Sequence, residues 1–271
     1  MADIESFWQF WISMEQRAIG KNGVKKILLS KNCKKIMPWT ETIKKDIQKI
    51  FPEIKDKLEV VPPAVTFTKF KKKKSKKITL LYASRYFWMK GGLVALESLR
   101  RIKKKFDINT IFISHVPENL KREYNEINIF EVVPQEKLKD LYKEANIFFY
   151  PSFIDTFGFS LLEAMSYGLP VVTVNTGGTT NCKEIIEDKK TGFVVDFPYY
   201  KGNEIYTKCY SIGKEEEKLI NQLVERISLL IENKKLREKM SRNCIKEIKS
   251  GKFSIEKRNR KLRKIYQEAL K

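Results

Sequence analysis

The sequence predicts a doubly wound α/β fold, in which a parallel β-sheet is covered by helices on both faces. From Lys77 onward, short β-branched or aromatic runs alternate with helical patterns, and this alternation is typical of parallel strands joined by crossover helices. The 271 residues include 42% hydrophobic and 12% aromatic side chains. This content is enough to bury a full core, and it excludes a disordered polyelectrolyte.

Six strands and five intervening helices are predicted from these patterns. The strands cover residues 78–83, 110–114, 127–133, 147–150, 171–174 and 192–195, and the helices cover residues 91–104, 118–125, 135–144, 159–167 and 181–187. An irregular stretch follows Asp196. Three further helical patterns then run from about Lys214 to the end of the chain, the last of them at 255–270.

The chain ahead of the sheet is predicted to be part of a second domain, which occupies residues 1–60. Segments 34–39 and 57–61 are predicted strands, and a helix is predicted between them at 41–50. Pro62-Pro63 and the basic run 69–77 mark residues 61–77 as a basic linker, because like charges repel and extend a chain. The sheet domain is then placed at residues 78–250, and a C-terminal helix at 251–271.

The composition is strongly basic, with 54 Lys and Arg against 33 Asp and Glu and a net charge of +21. Polyanions are therefore attracted to the chain at low salt. Lysines occur along all the predicted helices except 159–167, so a solvated surface explains most of them. An anionic membrane surface is the favoured macromolecular partner. Nucleic-acid binding is the weaker alternative. The run 71–77 lies near Phe67 and Phe70, but no recognition motif accompanies it.

The spacing of the cysteines and the hydropathy of the chain help to predict the cellular compartment of the protein. The four cysteines, at positions 33, 182, 209 and 244, form no Cys-x-x-Cys pair, which argues against a zinc site and against a disulfide framework. No signal peptide is recognisable, and no apolar run approaches the roughly 18 residues of a membrane span. We therefore expect a cytoplasmic protein, in solution or peripheral at the inner face of the membrane. The apolar segment 7–12 is interpreted as an edge helix, with insertion into a membrane interface as the alternative.

The segment 150–170 carries the most informative motif. A predicted strand ends at Tyr150, the following loop carries Asp155, and Phe157-Gly158 opens a helix. The free N–H groups at a helix start favour anions, and doubly wound folds bind ligands at the carboxyl edge of the sheet. Glu163 lies about a turn and a half into this helix, where its carboxylate can accept hydrogen bonds from ligand hydroxyls. A phosphate at one end and a polyol at the other indicate a nucleotide sugar.

Two cations are predicted at the same edge of the sheet. Arg85 and Lys90 follow the first strand, so the loop places them where they can neutralise a diphosphate. His115, the single histidine, follows the second strand. It is a candidate for contact with the nucleotide. The alternative is that His115 lies in this loop without a role in ligand binding.

These segments resemble the carboxyl-terminal, donor-binding domain of the retaining GT-B glycosyltransferases of family 4, the group 1 type. The family pattern has Pro-Ser, a Glu, seven residues and a second Glu, followed by Ala-Met and Gly-x-Pro-Val-Val. This chain has Pro151-Ser152, Asp155 in place of the first Glu, Phe157-Gly158, Glu163-Ala164-Met165 and Gly168-Leu169-Pro170-Val171-Val172. The first strand adds Ser84-Arg85, four residues and Lys90-Gly91, against the family's Gly-Arg, four residues and Lys-Gly.

The resemblance implies a Rossmann-like fold and a role for each motif residue. Arg85 and Lys90 would stabilise the departing nucleotide diphosphate, and Glu163 would hold the ribose. Asp155 would contact the donor sugar, and because Asp is one methylene shorter than Glu, it would do so from a closer loop or through a water. The other donor-binding candidates are Phe157, Gly158, Phe159, Val133 and His115. The resemblance implies no metal and no cofactor, since the nucleotide-diphosphate sugar is itself the substrate.

The loop after the fifth strand also resembles the family. Thr176-Gly177-Gly178 matches its Gly-Gly loop, and residues 179–183 make the path to Glu184 longer than usual. Sugar selectivity is predicted to lie in this loop.

The predicted function is therefore metal-independent, retaining transfer of a hexose from a nucleotide-diphosphate sugar to a lipid- or polysaccharide-linked acceptor. The resemblance covers residues 61 to about 270, so residues 1–60 are interpreted as a remnant or the end of an acceptor domain. An acceptor-domain partner chain is accordingly predicted. The alternatives are a catalytically silent nucleotide-sugar-binding subunit and, more distantly, a nucleic-acid-binding protein.

Overall fold

The computed structural model of the protein describes residues 21–73, 75–176, 182–198 and 209–270. The chain divides into two compact units, one made of Met1–Pro62 together with Asn259–Lys271 and the other of Pro63–Arg258. The first unit contains helix α1 (Lys21–Leu29), helix α2 (Glu41–Ile50) and a short 3-10 helix (Pro52–Lys57). Helix α2 begins where predicted because the Thr40 side chain accepts a hydrogen bond from the Ile43 N–H at 3.1 Å.

The two strands predicted in this unit are reduced to one bridge. Ile36 and Leu58 pair in parallel, supported by hydrogen bonds from Ile36 N to Lys57 O at 2.8 Å and from Glu59 N to Ile36 O at 2.9 Å. The 3-10 helix takes up Lys57, and Pro38 lacks the N–H that a longer ladder would use. The prediction of strands at 34–39 and 57–61 was therefore wrong in extent, although the two segments do pair.

The last residues of the chain group with the first unit rather than standing as a separate C-terminal segment. Lys261 lies 3.6 Å from Glu59, and Lys35 lies 4.0 Å from Glu268. These ion pairs join residues that the sequence places about 200 positions apart or more. The predicted boundary at residue 251 thus differs from the division between the units, which falls after Arg258.

The second unit alternates strands and helices along the chain. In order, its elements are β1 (Thr79–Ala83), α3 (Gly92–Lys105), β2 (Asn109–Ile113), α4 (Glu118–Glu123), β3 (Ile129–Phe130), α5 (Gln135–Glu144), β4 (Ile147–Tyr150), α6 (Phe159–Ser166), β5 (Val171–Asn175), α7 (Cys182–Ile185), β6 (Gly192–Asp196), α8 (Lys214–Glu232) and α9 (Lys234–Lys249), and α10 (Ile255–Ala269) follows across the division between the units. None of the helices in the described ranges is long and apolar enough to cross a membrane.

The described strands form one parallel sheet in the order β3-β2-β1-β4-β5-β6. The order reverses between β1 and β4, and this reversal is the position at which doubly wound folds open a ligand-binding crevice. The predicted fold, a Rossmann-like parallel sheet with flanking helices, is confirmed. Strand β3 is shorter than the predicted 127–133, since it is an edge strand that pairs only with β2 and Pro134 precedes the next helix.

The core lies on both faces of the sheet. Alternate side chains of a strand point to opposite faces, so Leu80 and Tyr82 pack on one side with α3 and α8, whereas Leu81 and Ala83 pack on the other with α6 and α9. Every residue of β1 and β4 is buried. Continuous burial of this kind is typical of a parallel sheet covered on both faces.

The predicted basic linker has no helix or strand in its described part, but it is not detached from the sheet. Val65 and Phe67 pack against the core of the second unit, the Phe70 and Tyr167 ring centroids lie 5.1 Å apart, and the Lys73 N–H donates to Lys143 O at 3.2 Å. Apolar residues between the lysines anchor the segment and outweigh the mutual repulsion of the charges.

Candidate functional site

The loops after β1 and β4 meet at the reversal of strand order. The N–H groups of Phe153 and Ile154 both donate to Met89 O, at 3.1 and 3.2 Å. Gly91 adopts φ +67°, and a Cβ on this residue would lie 2.0 Å from Pro151 O. The lack of a side chain at Gly91 therefore lets the two loops approach closely enough to share one site.

We expect Gly91→Ala to lower the free energy of unfolding by at least about 2 kcal/mol, because it combines a left-handed backbone with a clash against backbone atoms. Chemical denaturation followed by circular dichroism measures this loss. Gly213→Ala is the matched control: an added Cβ there meets only the flexible end of Glu216, at 3.0 Å. Equal losses in the two variants would contradict the role given to Gly91.

Lys90 and Asp155 form an ion pair between these loops. Lys90 Nζ lies 3.2 Å from Asp155 Oδ2, with 13% and 14% of the two side chains exposed, and it donates to Ile154 O at 2.6 Å. Burial lowers the pKa of the Lys90 ammonium, and the Asp155 carboxylate partly offsets this effect. The predicted catalytic cation is thus held in place by the predicted catalytic carboxylate.

Both carboxylate oxygens of Asp155 are engaged within the protein. Oδ2 also accepts from Tyr150 OH at 2.9 Å, and Oδ1 accepts from the Phe157 N–H at 3.3 Å. The shorter Asp side chain therefore shapes its own loop and orients Lys90. A contact between Asp155 and a donor sugar, as predicted, would have to replace or extend these bonds.

A cavity of about 610 Å³ opens beside this cluster at the carboxyl edge of the sheet. It brings together four of the predicted residues, Arg85, His115, Val133 and Glu163. The rest of its lining is Ala83, Ser84, Ile113, Glu131, Val132, Leu138, Tyr142 and Ser160. Lys90, Asp155, Phe157, Gly158 and Phe159 are not part of this lining. We call this space the donor cavity, after the donor-binding role predicted for its residues from the sequence.

Arg85 and Glu163 give the donor cavity opposite charges. Arg85 is exposed and forms no ion pair with any carboxylate in the described ranges, so its guanidinium can receive an anion. Glu163 is half-buried on α6, and burial raises the pKa of its carboxyl group, an effect partly offset by the Tyr142 hydroxyl. That hydroxyl donates to Glu163 Oε2 at 3.5 Å, a long hydrogen bond.

The two aromatic rings at the start of helix α6 differ in exposure. Gly158 opens the helix with φ +107°, while the Phe157 side chain is 1% exposed and belongs to the core. The side chain of Phe157 is therefore not available to a ligand, and the predicted donor contact would have to use backbone atoms. Phe159 is exposed on the same turn, and His115 is exposed at the rim of the donor cavity.

Three residues beside the site were not singled out by the sequence analysis. Tyr150 binds Asp155, Tyr142 binds Glu163, and Ser160 lines the donor cavity. Tyrosine hydroxyls at the end of a buried strand or on a buried helix face are the signal available in the sequence, since a buried hydroxyl needs a partner.

Two predictions lie outside the described residues: the Gly177-Gly178 loop as the place of sugar selectivity, and the apolar segment 7–12. Among the residues that the structure does describe, no three His, Cys, Asp or Glu side chains are grouped so that they could hold a metal ion.

The sequence pattern of the family described as "Glycosyl transferases group 1" matches residues 65–202. Over 165 residues the chain is 27% identical to the D-inositol 3-phosphate glycosyltransferase of Paenarthrobacter aurescens, a match that covers 52% of this chain and 40% of that protein. The chain thus spans less than half of this curated relative.

The fold is shared with solved structures of low sequence identity. A glycosyltransferase from Rickettsia africae superposes with a TM-score of 0.69 at 21% identity, covering 94% of this chain and 69% of that one. S. aureus TarM, in a complex that includes UDP, superposes with a TM-score of 0.68 at 18% identity, covering 90% and 46% of the two chains. At these identities the likeness shows the fold alone.

Proposed function

The chain belongs to the glycosyl transferases group 1 family, and from this premise we propose that its sheet unit binds a nucleotide-diphosphate sugar and serves sugar transfer with retention of configuration. One observation carries the proposal: a single cavity holds the half-buried Glu163 carboxylate and the Arg85 cation, which has no carboxylate partner among the described residues. A nucleotide sugar presents the matching groups, since it joins a diphosphate to polyols.

We propose that the diphosphate binds at the loop after β1 and the start of α6. Arg85 lines the donor cavity, and Lys90 is held on the adjoining loop by Asp155 and Ile154 O. Helix N–H groups beyond Gly158 add a favourable dipole for an anion. In this proposal these cations neutralise the charge that develops on the leaving diphosphate, without a metal ion.

The ribose is placed at Glu163. An ionised carboxylate accepts hydrogen bonds from vicinal hydroxyls. The Tyr142 hydroxyl orients this carboxylate by donating a hydrogen bond to Glu163 Oε2. The UDP in the TarM structure supports the choice of a nucleoside diphosphate as the first probe. We further propose that the acceptor is lipid- or polysaccharide-linked and that a partner chain holds it.

A catalytically silent donor-binding subunit is the second candidate. Both oxygens of Asp155 are satisfied by the protein, so the carboxylate proposed to contact the donor sugar is already occupied. Transfer of sugar to an acceptor, when the chain is supplied with a partner and a donor, would separate the active enzyme from the silent subunit.

Binding is tested by titrating the full chain with UDP, GDP and ADP and then with the nucleoside of the diphosphate that binds best. We expect one nucleotide to stabilise the chain by about 2.7 kcal/mol at 100 times its dissociation constant. In Glu163→Gln, both nucleotide and nucleoside should bind about tenfold more weakly, since a hydrogen bond to a charged group is lost. If none of the three nucleotides bound to the chain, the proposal would be wrong.

The nucleoside titration also has an expected pH dependence. The raised pKa of Glu163 means that its carboxylate becomes protonated at a higher pH than an ordinary glutamate. Nucleoside affinity should therefore fall as the pH drops through that raised pKa, because the protonated acid is a poorer acceptor. Calorimetry at several pH values should show a flat profile for Glu163→Gln. A sloping profile in that variant would assign the titration to another group.

A further inference from the structure

A second cavity, of about 650 Å³, lies at the opposite edge of the sheet. It is bounded by the residues before β1 and β4, by the end of helix α6 and by helix α9, and Ile78, Asn146, Tyr167 and Gly168 mark these positions. At a strand rise of about 3.3 Å per residue, β1 separates this cavity from the donor cavity by roughly 15 Å. We call it the basic cavity.

The lining of the basic cavity is strongly cationic. It contains six cations and one carboxylate: Lys69, Lys72, Lys76, Lys77, Lys234, Arg237 and Glu238. Three of the cations are already engaged. Lys234 lies 3.9 Å from Glu238, Lys77 lies 2.5 Å from Asp107, and Arg237 donates to the Ile231 carbonyl oxygen at 3.1 Å.

The other three cations, Lys69, Lys72 and Lys76, form no ion pair with any carboxylate in the part of the chain that the structure describes. Lys72 is half-buried, and burial lowers the pKa of its ammonium group to about 8. A partly desolvated charge without a counter-ion is unfavourable, and proteins ordinarily pair such charges. The lysines of the basic cavity therefore offer positive charge that no described carboxylate balances.

The lysines are carried on a segment that is fixed in place. Phe67 packs on the core, Phe70 packs on Tyr167, and the Lys73 backbone is bonded to α5. This anchoring fixes the backbone that carries Lys69 and Lys72, so less backbone entropy is lost when these two cations bind an anion.

From these observations we propose that the basic cavity is a second ligand site, which binds the phosphate group of a phosphomonoester or diphosphate through Lys69, Lys72 and Lys76. Its volume lies within the roughly 300 to 1,000 Å³ of small-molecule sites. A half-open cavity of this size suits a compact phosphate group, whereas a nucleic-acid strand needs a continuous groove. The proposal goes beyond donor binding and does not depend on it.

The test is calorimetric titration of the full chain with inorganic pyrophosphate. Lys69→Met/Lys72→Met removes two cavity charges and keeps the aliphatic stems. Lys104→Met/Lys105→Met removes the same charge from the exposed end of α3 and is the matched control. Both are made in an Arg85→Ala background, so that binding at the donor cavity contributes little. Lys76→Met, at an exposed position, is a second cavity variant with little risk to folding.

We expect pyrophosphate to bind at least about tenfold more weakly to both cavity variants and within about twofold of the background for the control, because charge-assisted hydrogen bonds are lost only in the cavity. Sedimentation with phosphatidylglycerol vesicles, against phosphatidylcholine vesicles, identifies the source of the phosphate. Binding of those anionic vesicles alone, lost in the cavity variants, would support the site and assign it to a lipid headgroup.

Equal losses in the cavity and control variants would overturn the proposal, since they would show only general attraction to a basic surface. It would equally be overturned if neither pyrophosphate nor anionic vesicles bound, or if a single-stranded oligonucleotide were the only anion to bind. A failure of nucleotide binding at the donor cavity would leave these outcomes unchanged, so the two proposals fail separately.

Discussion

Replacing Arg85 with alanine is expected to weaken binding of the preferred nucleoside diphosphate by about tenfold to a hundredfold, since a charge-assisted hydrogen bond to phosphate contributes about 1.5 to 3 kcal/mol. Binding of the parent nucleoside should be unchanged, because the nucleoside has no diphosphate. Arg85 lines the donor cavity and has no carboxylate partner among the described residues. Calorimetric titration with both ligands measures the difference directly.

Arg242→Ala is the matched control for this experiment. Arg242 is an exposed arginine on α9 that does not line the donor cavity, so its loss changes the net charge by the same amount without touching the site. If both arginine variants weakened diphosphate binding equally, long-range attraction would explain the result. If Arg85→Ala weakened the nucleoside as much as the diphosphate, the placement of the phosphates would be wrong.

Replacing Asp155 with alanine is expected to destabilise the chain by about 3 kcal/mol, because it leaves a largely desolvated cation without its counter-ion. Lys90 is 13% exposed on its side chain, and the Tyr150 hydroxyl loses an acceptor at the same time. The exposed pair of Lys190 and Glu187, at 2.7 Å, supplies the control. Glu187→Ala should cost no more than about 1 kcal/mol.

The loss in Asp155→Ala should shrink as the pH rises. A lysine whose pKa is lower in the folded state than its unfolded value of about 10.4 destabilises the fold when protonated. Without Asp155, the pKa of Lys90 falls further below its ordinary value. The penalty is therefore present while Lys90 is protonated and Asp155 would be ionised, and it is relieved as the pH rises from the lowered pKa of Lys90 toward its unfolded pKa. Denaturation midpoints across this range provide the measurement.

A double variant separates the charge effect from lost packing. Lys90→Met/Asp155→Ala should recover part of the stability lost in Asp155→Ala, since no unpaired charge remains. If the double variant were the less stable of the two, the unpaired ammonium group would not be the cause of the loss. The ion pair would then matter only for the shape of the loop.

Arg85, Lys90, Asp155 and Glu163 could be assigned to one edge of the sheet from the sequence. Each follows or lies near the carboxyl end of a predicted strand, and the carboxyl ends of parallel strands share an edge. That argument predicts that the four residues lie at the carboxyl edge of the sheet, but it does not predict which of them contact each other. The pairing of Lys90 with Asp155, 65 residues apart in sequence, depends on the order of β1 and β4 in the sheet and on the close approach at Gly91.

The aromatic residues of the site show the same division. Phe157 and Phe159 lie two positions apart in one motif, yet the first is in the core and the second is exposed. A short turn has no regular periodicity from which to assign a face. The hydroxyls of Tyr142 and Tyr150 donate hydrogen bonds to the predicted site residues Glu163 and Asp155. The directions of these tyrosine side chains depend on tertiary packing, so the sequence pattern did not predict the two hydrogen bonds.

The sequence by itself determined the alternation of strands and helices, the parallel sheet and the residues at its binding edge. These features follow from the spacing of apolar residues within short stretches of the chain. Only the tertiary structure decided where the basic run lies. Its lysines indicated an extended linker, whereas Val65, Phe67 and Phe70 hold it against the sheet unit. Contacts between segments that are distant in sequence depend on which surfaces pack together in the fold, and the local spacing of apolar residues does not predict those contacts.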